Sequence, residues 1–334
     1  MNKVTIRDVA AAAGVSYQTV SRVMNHRPDV AEETRQRVWQ VIEELGYQPS
    51  AIARGLVSKR TYTLGLITAD FSDYFFTQVI IGAEVEARKH GYFFMLCSTE
   101  RNPDDEPAYL RLLSERQVDG ILFARPSTEQ DDRHVVTLLS QGVPLVTTAY
   151  HVDGVRLVVD VDNVDGGLQA TQCLIDGGHR QIGLITGPPA WKSVKDRTQG
   201  YRLALERAGV PFDRTLIERG DWSHESGYEA MQHLLTKAPA ITALFCQNDR
   251  MAIGAMRALR EAGRRIPDDV AIVGYDDIPS AAYSYPPLTT IRQPMQMVGE
   301  IATRKLIELI DDPDSEREEV LLRTELVRRG SCGG

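Results

Sequence analysis

Cysteine is scarce and unpatterned in this chain. Cys97, Cys173, Cys246 and Cys332 stand far apart with no CxxC spacing, so neither a zinc site nor a disulfide framework is indicated. Three of them fall in apolar strand or helix patterns and are expected as reduced core residues, while Cys332 lies on a small, Gly-rich tail. The seven histidines form no ligand cluster, so no metal or cofactor is expected. GxSxG, P-loop and HExxH patterns are absent, and Gly166-Gly167 and Gly177-Gly178 lack phosphate-loop spacing. No enzyme activity is expected. No apolar run approaches the roughly 20 residues that span a bilayer. Met1-Asn2-Lys3 leads into a helical pattern without an apolar signal region. A cytoplasmic location with no membrane partner is the expectation.

What is present suits a soluble globular chain. With 334 residues, 43% apolar and 25% charged, two or three domains can each bury a core. The net charge of −8 argues against nucleic acid until it is divided. Residues 1–60 hold 9 Lys/Arg and 6 Asp/Glu, giving +3, and the remainder holds 29 and 40, giving −11. A positive head on an acidic body suits a protein that meets phosphate at one end only.

That head carries the strongest motif. Ile6, Val9, Ala10 and Ala13 repeat at helical spacing, with Thr5 as a plausible cap and Gly14 as a tight turn. A second helix buries Val20, Val23 and Met24, which leaves Tyr17, Gln18, Ser21 and Arg22 projecting together. Those side chains suit the major groove: Arg pairs guanine through two donors and Gln pairs adenine. Val38, Val41, Ile42 and Leu45 give a third helix that closes a small core. An ordinary helical hairpin would not explain the polar stripe and the turn together.

On these residues, above all Tyr17-Gln18-Thr19-Val20-Ser21-Arg22-Val23, the chain resembles the lactose-repressor family of bacterial transcription regulators, along essentially its whole length. The resemblance implies base readout by Tyr17, Gln18 and Arg22. Between the head and the first strand lie residues 47–60, where Pro49 stops helix continuation, Ser50 can cap a short new helix and Gly55 weakens it. By residues alone this is a linker or a marginal helix. By resemblance it is a hinge helix that orders on DNA, with Leu56 wedged between base pairs of the minor groove.

From Tyr62 onward short apolar runs alternate with helical patterns, as in Leu64–Ile67, Phe93–Leu96, Gly120–Phe123, Ile182–Ile185 and Val270–Val273, which reads as βαβ units and parallel sheets. Gly-Leu-Ile-Thr occurs at 65–68 and again at 183–186, and Gly82/Gly200 and Gly91/Gly209 keep the same interval of 118 residues. The fold class is therefore α/β: a helix-turn-helix head and a two-lobed core of parallel sheets, of periplasmic-binding-protein type, with a cleft between lobes. The expected division is 1–46 for the head, 47–60 for the hinge and 61–334 for the core. Within the core the first lobe takes about 61–162 and 292–322, and the second about 163–291 and 323–334.

Loops at strand ends should line the cleft. They carry Asp196-Arg197, Gly220-Asp221-Trp222-Ser223, Gln247-Asn248-Asp249 and Tyr275-Asp276-Asp277, groups able to grip vicinal hydroxyls beside an aromatic face. Resemblance assigns Asp165, Arg197, Asn248 and Asp276 to sugar contacts and Trp222 to stacking. Phe75 and Phe76 make one wall bulky and aromatic. Arg125 would either select an anionic group or pair with a nearby carboxylate. Asp249 is expected to cap the helix near Arg250, and Asp162 and Asn163 the helix after them; Asp277 could equally serve the turn before Pro279, and a structural ion pair across the cleft is the lesser alternative for Asp276 and Arg197.

The expectation is a ligand-responsive repressor of carbohydrate-use genes, acting as a homodimer on double-stranded operator DNA, with a sugar or sugar derivative as effector. Rival readings are an exported solute-binding protein, for which residues 1–60 have no use, and a regulator with a non-sugar or co-repressing ligand.

Overall fold

The computed structural model describes residues 4–24, 27–47, 60–124, 132–148, 154–316 and 318–333. They form two units, 1–62 and 63–334.

The first unit holds α1 (Ile6–Ala13), α2 (Tyr17–Met24) and α3 (Glu32–Glu44). The Asp8 carboxylate accepts hydrogen bonds from the Thr5 backbone N–H at 2.8 Å and the Thr5 hydroxyl at 2.7 Å, which fixes the start of α1. Gly14 ends it at φ +64, a left-handed conformation that most side chains resist. Ser16 accepts the Thr19 N–H at 3.1 Å and so starts α2. Val9, Val20, Val23 and Val38 are fully buried in the core of this unit. Leu45 falls just beyond α3 and is exposed, because the helix ends one residue before its pattern would.

The second unit continues with β1 (Thr63–Thr68), α4 (Tyr74–Lys89), β2 (Phe93–Ser98), α5 (Glu106–Glu115), β3 (Gly120–Ala124), α6 (Arg133–Ser140), β4 (Leu145–Thr148) and β5 (Leu157–Val161). Then come α7 (Asn163–Asp176), β6 (Ile182–Thr186), α8 (Lys192–Arg207), β7 (Ile217–Arg219), α9 (His224–Lys237), β8 (Ala243–Cys246), α10 (Asp249–Glu261) and β9 (Ala271–Asp276). The chain closes with β10 (Thr289–Arg292), α11 (Met295–Asp311), β11 (Glu318–Leu322) and β12 (Glu325–Val327).

Two sheets result, in the orders β11-β5-β4-β3-β1-β2 and β12-β10-β9-β8-β6-β7. Adding five to the label of each of the first five strands converts one order into the other. The first sheet is parallel throughout; in the second, β12 runs antiparallel to β10. The 118-residue interval of the sequence is thus a duplicated lobe, with β1 and β6 in equivalent places. The chain passes between lobes after β5, after β10 and after β11.

Each lobe packs its helices closely. A Cβ on Gly82 of α4 would stand 2.0 Å from the Gln296 carbonyl oxygen of α11, and one on Gly299 of α11 would stand 2.0 Å from that of Val79. Gly167 and Gly200 meet in the same reciprocal way between α7 and α8, and Gly227 and Gly254 between α9 and α10. Backbones therefore touch at all three crossings. This explains why Gly82 and Gly200 share a register: each lies where a helix crosses its partner.

All four cysteines are free and buried. Cys332 does not stand apart on its tail, because it packs within the second lobe against Cys173. No helix among the described residues is long and apolar enough to cross a membrane.

Candidate ligand cleft and nucleic-acid face

At the carboxyl ends of the strands of both sheets lies a cavity with about 570 Å³ of empty space, its open mouth included. The first lobe contributes Asp73, Phe75 and Phe76 from the start of α4, with Asp160 from β5. The second contributes Asn163, Trp191, Ser193, Arg197, Trp222, Asn248 and Asp276, and Gln293 sits in the crossing after β10.

Arg197 is the organising cation. It projects from α8, is nearly fully buried, and lies over the Tyr275 ring at 3.7 Å. Its Nε donates to Asn163 Oδ1 at 2.9 Å and Nη1 donates to the Gln247 carbonyl. Asp276 stands 3.9 Å away, with φ +110, and accepts from Gln293 Nε2 at 2.6 Å. Burial pushes the Asp276 carboxyl up to about 7, against the opposing pull of Arg197. Asp73 and Asp160 are likewise raised by burial, although Arg101 lies beside the first and Lys192 donates to the second at 2.9 Å.

Aromatic faces occupy one side. Trp191 and Trp222 lie with centroids 5.3 Å apart, and Phe76 reaches Trp191 from the other lobe at 6.3 Å. Trp222 holds φ +78, and its buried indole N–H donates to no group among the described residues. Two further contacts join the lobes: Lys192 to Asp160, and Arg101 Nη1 to the Asp221 carbonyl at 3.3 Å.

Phe75, Phe76, Arg197, Trp222, Asn248 and Asp276 thus come together as named from the sequence. Asp165 does not join them; on α7 its carboxylate accepts from Gln169, one turn on. Arg125 and Leu56 fall outside the described residues. One cap is displaced by one residue, and one expected pair is reduced to its first member. Asn248, not Asp249, caps α10, accepting the Met251 N–H at 2.8 Å and donating to the Trp222 carbonyl at 3.1 Å. Asp249 is instead wholly buried, accepting from the Ile278 N–H at 2.9 Å and the Thr290 hydroxyl at 2.6 Å. Asp162 alone caps α7, which frees Asn163 to face the cleft. Asp277 pairs with Arg292 at 2.7 Å and Arg329 at 2.6 Å.

Asp73, Asp160, Trp191, Ser193 and Gln293 were not singled out from the sequence. A signal existed for one of them, Ser193, from the named Phe75. The 118-residue interval carries Asp73 onto Trp191 and Phe75 onto Ser193, so each lobe lines the cleft with the cap and first turn of the helix after its leading strand, β1 or β6.

A pH effect on stability follows. The unfolded chain releases the Asp276 proton near 3.8 and the folded chain keeps it to about 7. The folded state therefore binds more protons across that window, and stability should fall as pH rises from about 4 to about 7. Asp73 and Asp160 add in the same direction. Urea unfolding of Asp276→Asn should show a shallower fall over that range; an unchanged slope would remove Asp276 from the account. Glu86, held down to about 2 by hydrogen bonds from Arg304 and Lys89, acts oppositely and only below about 4.5.

In the head, Tyr17, Gln18 and Arg22 are exposed on α2 opposite Val20 and Val23, and Ser21 is half-buried beside them. Arg22 reaches Asp29 at 3.5 Å, an exposed pair weak enough to yield to a better partner.

Residues 5–50 match the family described as bacterial regulatory proteins, lacI family, and residues 171–332 match a periplasmic binding protein-like domain. The chain is 39% identical over 332 residues, 98% of each protein, to the HTH-type transcriptional repressor PurR of Aliivibrio fischeri. Among solved structures it is similar to a transcriptional regulator CelR–cellobiose complex, with 37% identity, TM-score 0.76 and coverage of 98% and 100%. It is also similar to the lac repressor dimer bound to operator and the anti-inducer ONPF, with 30% identity, TM-score 0.88 and full coverage of both chains.

Proposed function

Because this chain belongs to the lacI family of DNA-binding transcription regulators, we propose that a neutral sugar in its interlobe cleft controls its hold on operator DNA. The observation that carries the reading is the convergence of two tryptophans with Arg197, Asp276, Asn163 and Gln293 in one cavity fed by both lobes. Tryptophan faces cover the C–H side of a pyranose, while carboxylate, amide and guanidinium groups take its hydroxyls. Among the described residues, three carboxylates line the same space beside one guanidinium already engaged by Asn163 and Gln247, which disfavours an anionic ligand. The unpartnered Trp222 indole N–H suits a hydroxyl oxygen. The CelR structure holds cellobiose, a neutral sugar of this kind.

The chain acts as a repressor, as a two-fold dimer that sets two copies of α2 on two half-sites. A sugar that favours one interlobe angle over another shifts the dimer away from its operator-binding form. A panel of neutral mono- and disaccharides in thermal shift, followed by calorimetry and an operator gel shift with each hit, tests this. At least one sugar should bind and release operator. Binding only by sugar phosphates or other anions would overturn the sugar assignment.

DNA readout rests on Tyr17, Gln18, Ser21 and Arg22, with Leu56 as the minor-groove wedge. Arg22→Ala should cost about 1–3 kcal/mol on the cognate operator and relax discrimination at one base pair. Leu56→Ala should reduce bending in a permuted-fragment assay. Equal loss on random and cognate DNA would reduce Arg22 to a phosphate contact.

A further inference from the structure

The cleft makes no use of a second chemical feature in the same lobe. Cys173, in the last turns of α7, and Cys332, two residues from the end of the chain, bring their sulfurs to 3.0 Å, both side chains buried. They are separated by 159 residues, so the fold alone brings them together. We infer that Cys173 and Cys332 form a reversible redox site, closing to a disulfide when a hydroperoxide is present.

Position separates the roles of the two sulfurs. The tail is pinned up to Ser331, whose hydroxyl donates to the Ile272 carbonyl at 2.7 Å and accepts the Thr289 N–H at 2.8 Å. Cys332 stands one residue beyond that pin and is followed by Gly333 at φ +78, so a small shift of the tail end, within the cluster that buries it, moves its sulfur. Cys173 is held on a helix. The hydrogen bond from the Cys173 thiol holds the Cys332 thiol below its ordinary value, with the Thr289 hydroxyl and the Arg328 charge adding to this, while Cys173 is raised. The thiolate is the nucleophile in such chemistry, and the place of Cys332 on the tail, against Cys173 held on its helix, assigns the attack to Cys332 and the resolving role to Cys173.

The step balances. The Cys332 thiolate attacks one oxygen of hydrogen peroxide; an S–O bond forms, the O–O bond breaks, and hydroxide leaves and takes a proton as water. Cys332 is then a sulfenic acid. Cys173 attacks that sulfur; the S–S bond forms, the S–O bond breaks, and the departing hydroxide takes the Cys173 proton as a second water. Two thiols lose two electrons and one peroxide gains them. An S–S bond is about 2.05 Å long, so closure needs a sulfur displacement of about one ångström. The clip would join α7, which begins at Asn163 in the cleft, to the tail whose Arg329 holds Asp277 beside Asp276.

Full-length reduced protein is treated with hydrogen peroxide, quenched, denatured and digested without reductant for mass spectrometry. The expected product is one intrachain Cys173–Cys332 peptide pair, lighter by two hydrogens, with two of the four thiols lost and recovered by dithiothreitol. Cys97 in the other lobe and Cys246 on β8 should remain thiols. Cys332→Ser should abolish the linked peptide, and Cys173→Ala should leave a Cys332 sulfenic acid that dimedone traps. Four intact thiols at peroxide levels that oxidise free glutathione would overturn the proposal, as would a cross-link between chains or Cys332 sulfinic acid with no linked peptide.

Discussion

Arg197→Ala is expected to give a regulator that binds operator but no longer hears its ligand. The guanidinium donates to Asn163 and the Gln247 carbonyl, covers the Tyr275 ring and stands 3.9 Å from Asp276. Removing it takes the side-chain donor from the Gln247 carbonyl, leaves Asn163 Oδ1 with only the Tyr275 hydroxyl at 3.3 Å, and opens a hole over the ring. One half of a buried charge network is costly to delete, about 3–5 kcal/mol where the remaining charge persists. Asp276 already titrates at about 7 and can keep its proton, so stability should fall by the lower part of that range. Charge-assisted bonds to ligand contribute about 1.5–3 kcal/mol each, which predicts sugar affinity lower by one to two orders of magnitude. Operator affinity without sugar should be unchanged. Arg197→Lys keeps the charge but loses the planar fork and should fall between the two. Calorimetry that found wild-type affinity in both Arg197→Ala and Asp276→Ala would remove these residues from the site.

Gly200→Ala is expected to be among the most damaging single methyls in the second lobe. Its Cβ would lie 2.1 Å from the Val164 carbonyl oxygen and 2.6 Å from the Leu168 nitrogen, both backbone atoms of α7. Neither can rotate away, so α7 and α8 must part. Overpacking usually costs about 1–3 kcal/mol where side chains can adjust; against a rigid helix backbone the loss should reach or exceed about 3 kcal/mol. The parting would also pull Arg197, one turn before Gly200, away from Asn163 at the start of α7. Urea unfolding should show the loss, and calorimetry on the folded remainder should show weakened sugar binding. A drop under about 1 kcal/mol would mean that the helices have slack at this crossing.

How much of this could be read from residues alone depended on what each signal measures. The α2 face was legible because helical spacing alone decides which side chains project from a short amphipathic helix; Tyr17, Gln18 and Arg22 need no partner to be placed. The cleft was partly legible, since strand-end loops identify Arg197, Trp222 and Asp276. The single-residue errors have one cause: Asn248 and Asp249 are both good caps, as are Asp162 and Asn163, and which of them caps is decided by which backbone stays extended. Asp165 fell outside the cavity for a related reason, because one step along a helix turns a side chain by about 100°. Trp191 was missed because Pro188 and Pro189 mark a loop without saying where it points. The burial of Cys332 depends on a tail returning to β9 and β10, a long-range pairing with no local pattern.

The three passages between lobes have a consequence for how the protein is made. The head is complete by residue 47 and can fold while the rest is still being synthesised. Neither lobe of the core can do the same. The first lacks α11, which packs on α4 and on β3, β4 and β5, and lacks β11, until residue 322 has emerged. The second waits for β12 and for Ser331, which pins β9 and β10. Until the last stretch of chain arrives, the faces that will meet Val298, Ala302 and Leu306 stay open to water, the kind of surface through which unfinished chains aggregate. A ribosome that stopped after Pro313 would release a chain with a finished head and two lobes each missing an edge strand.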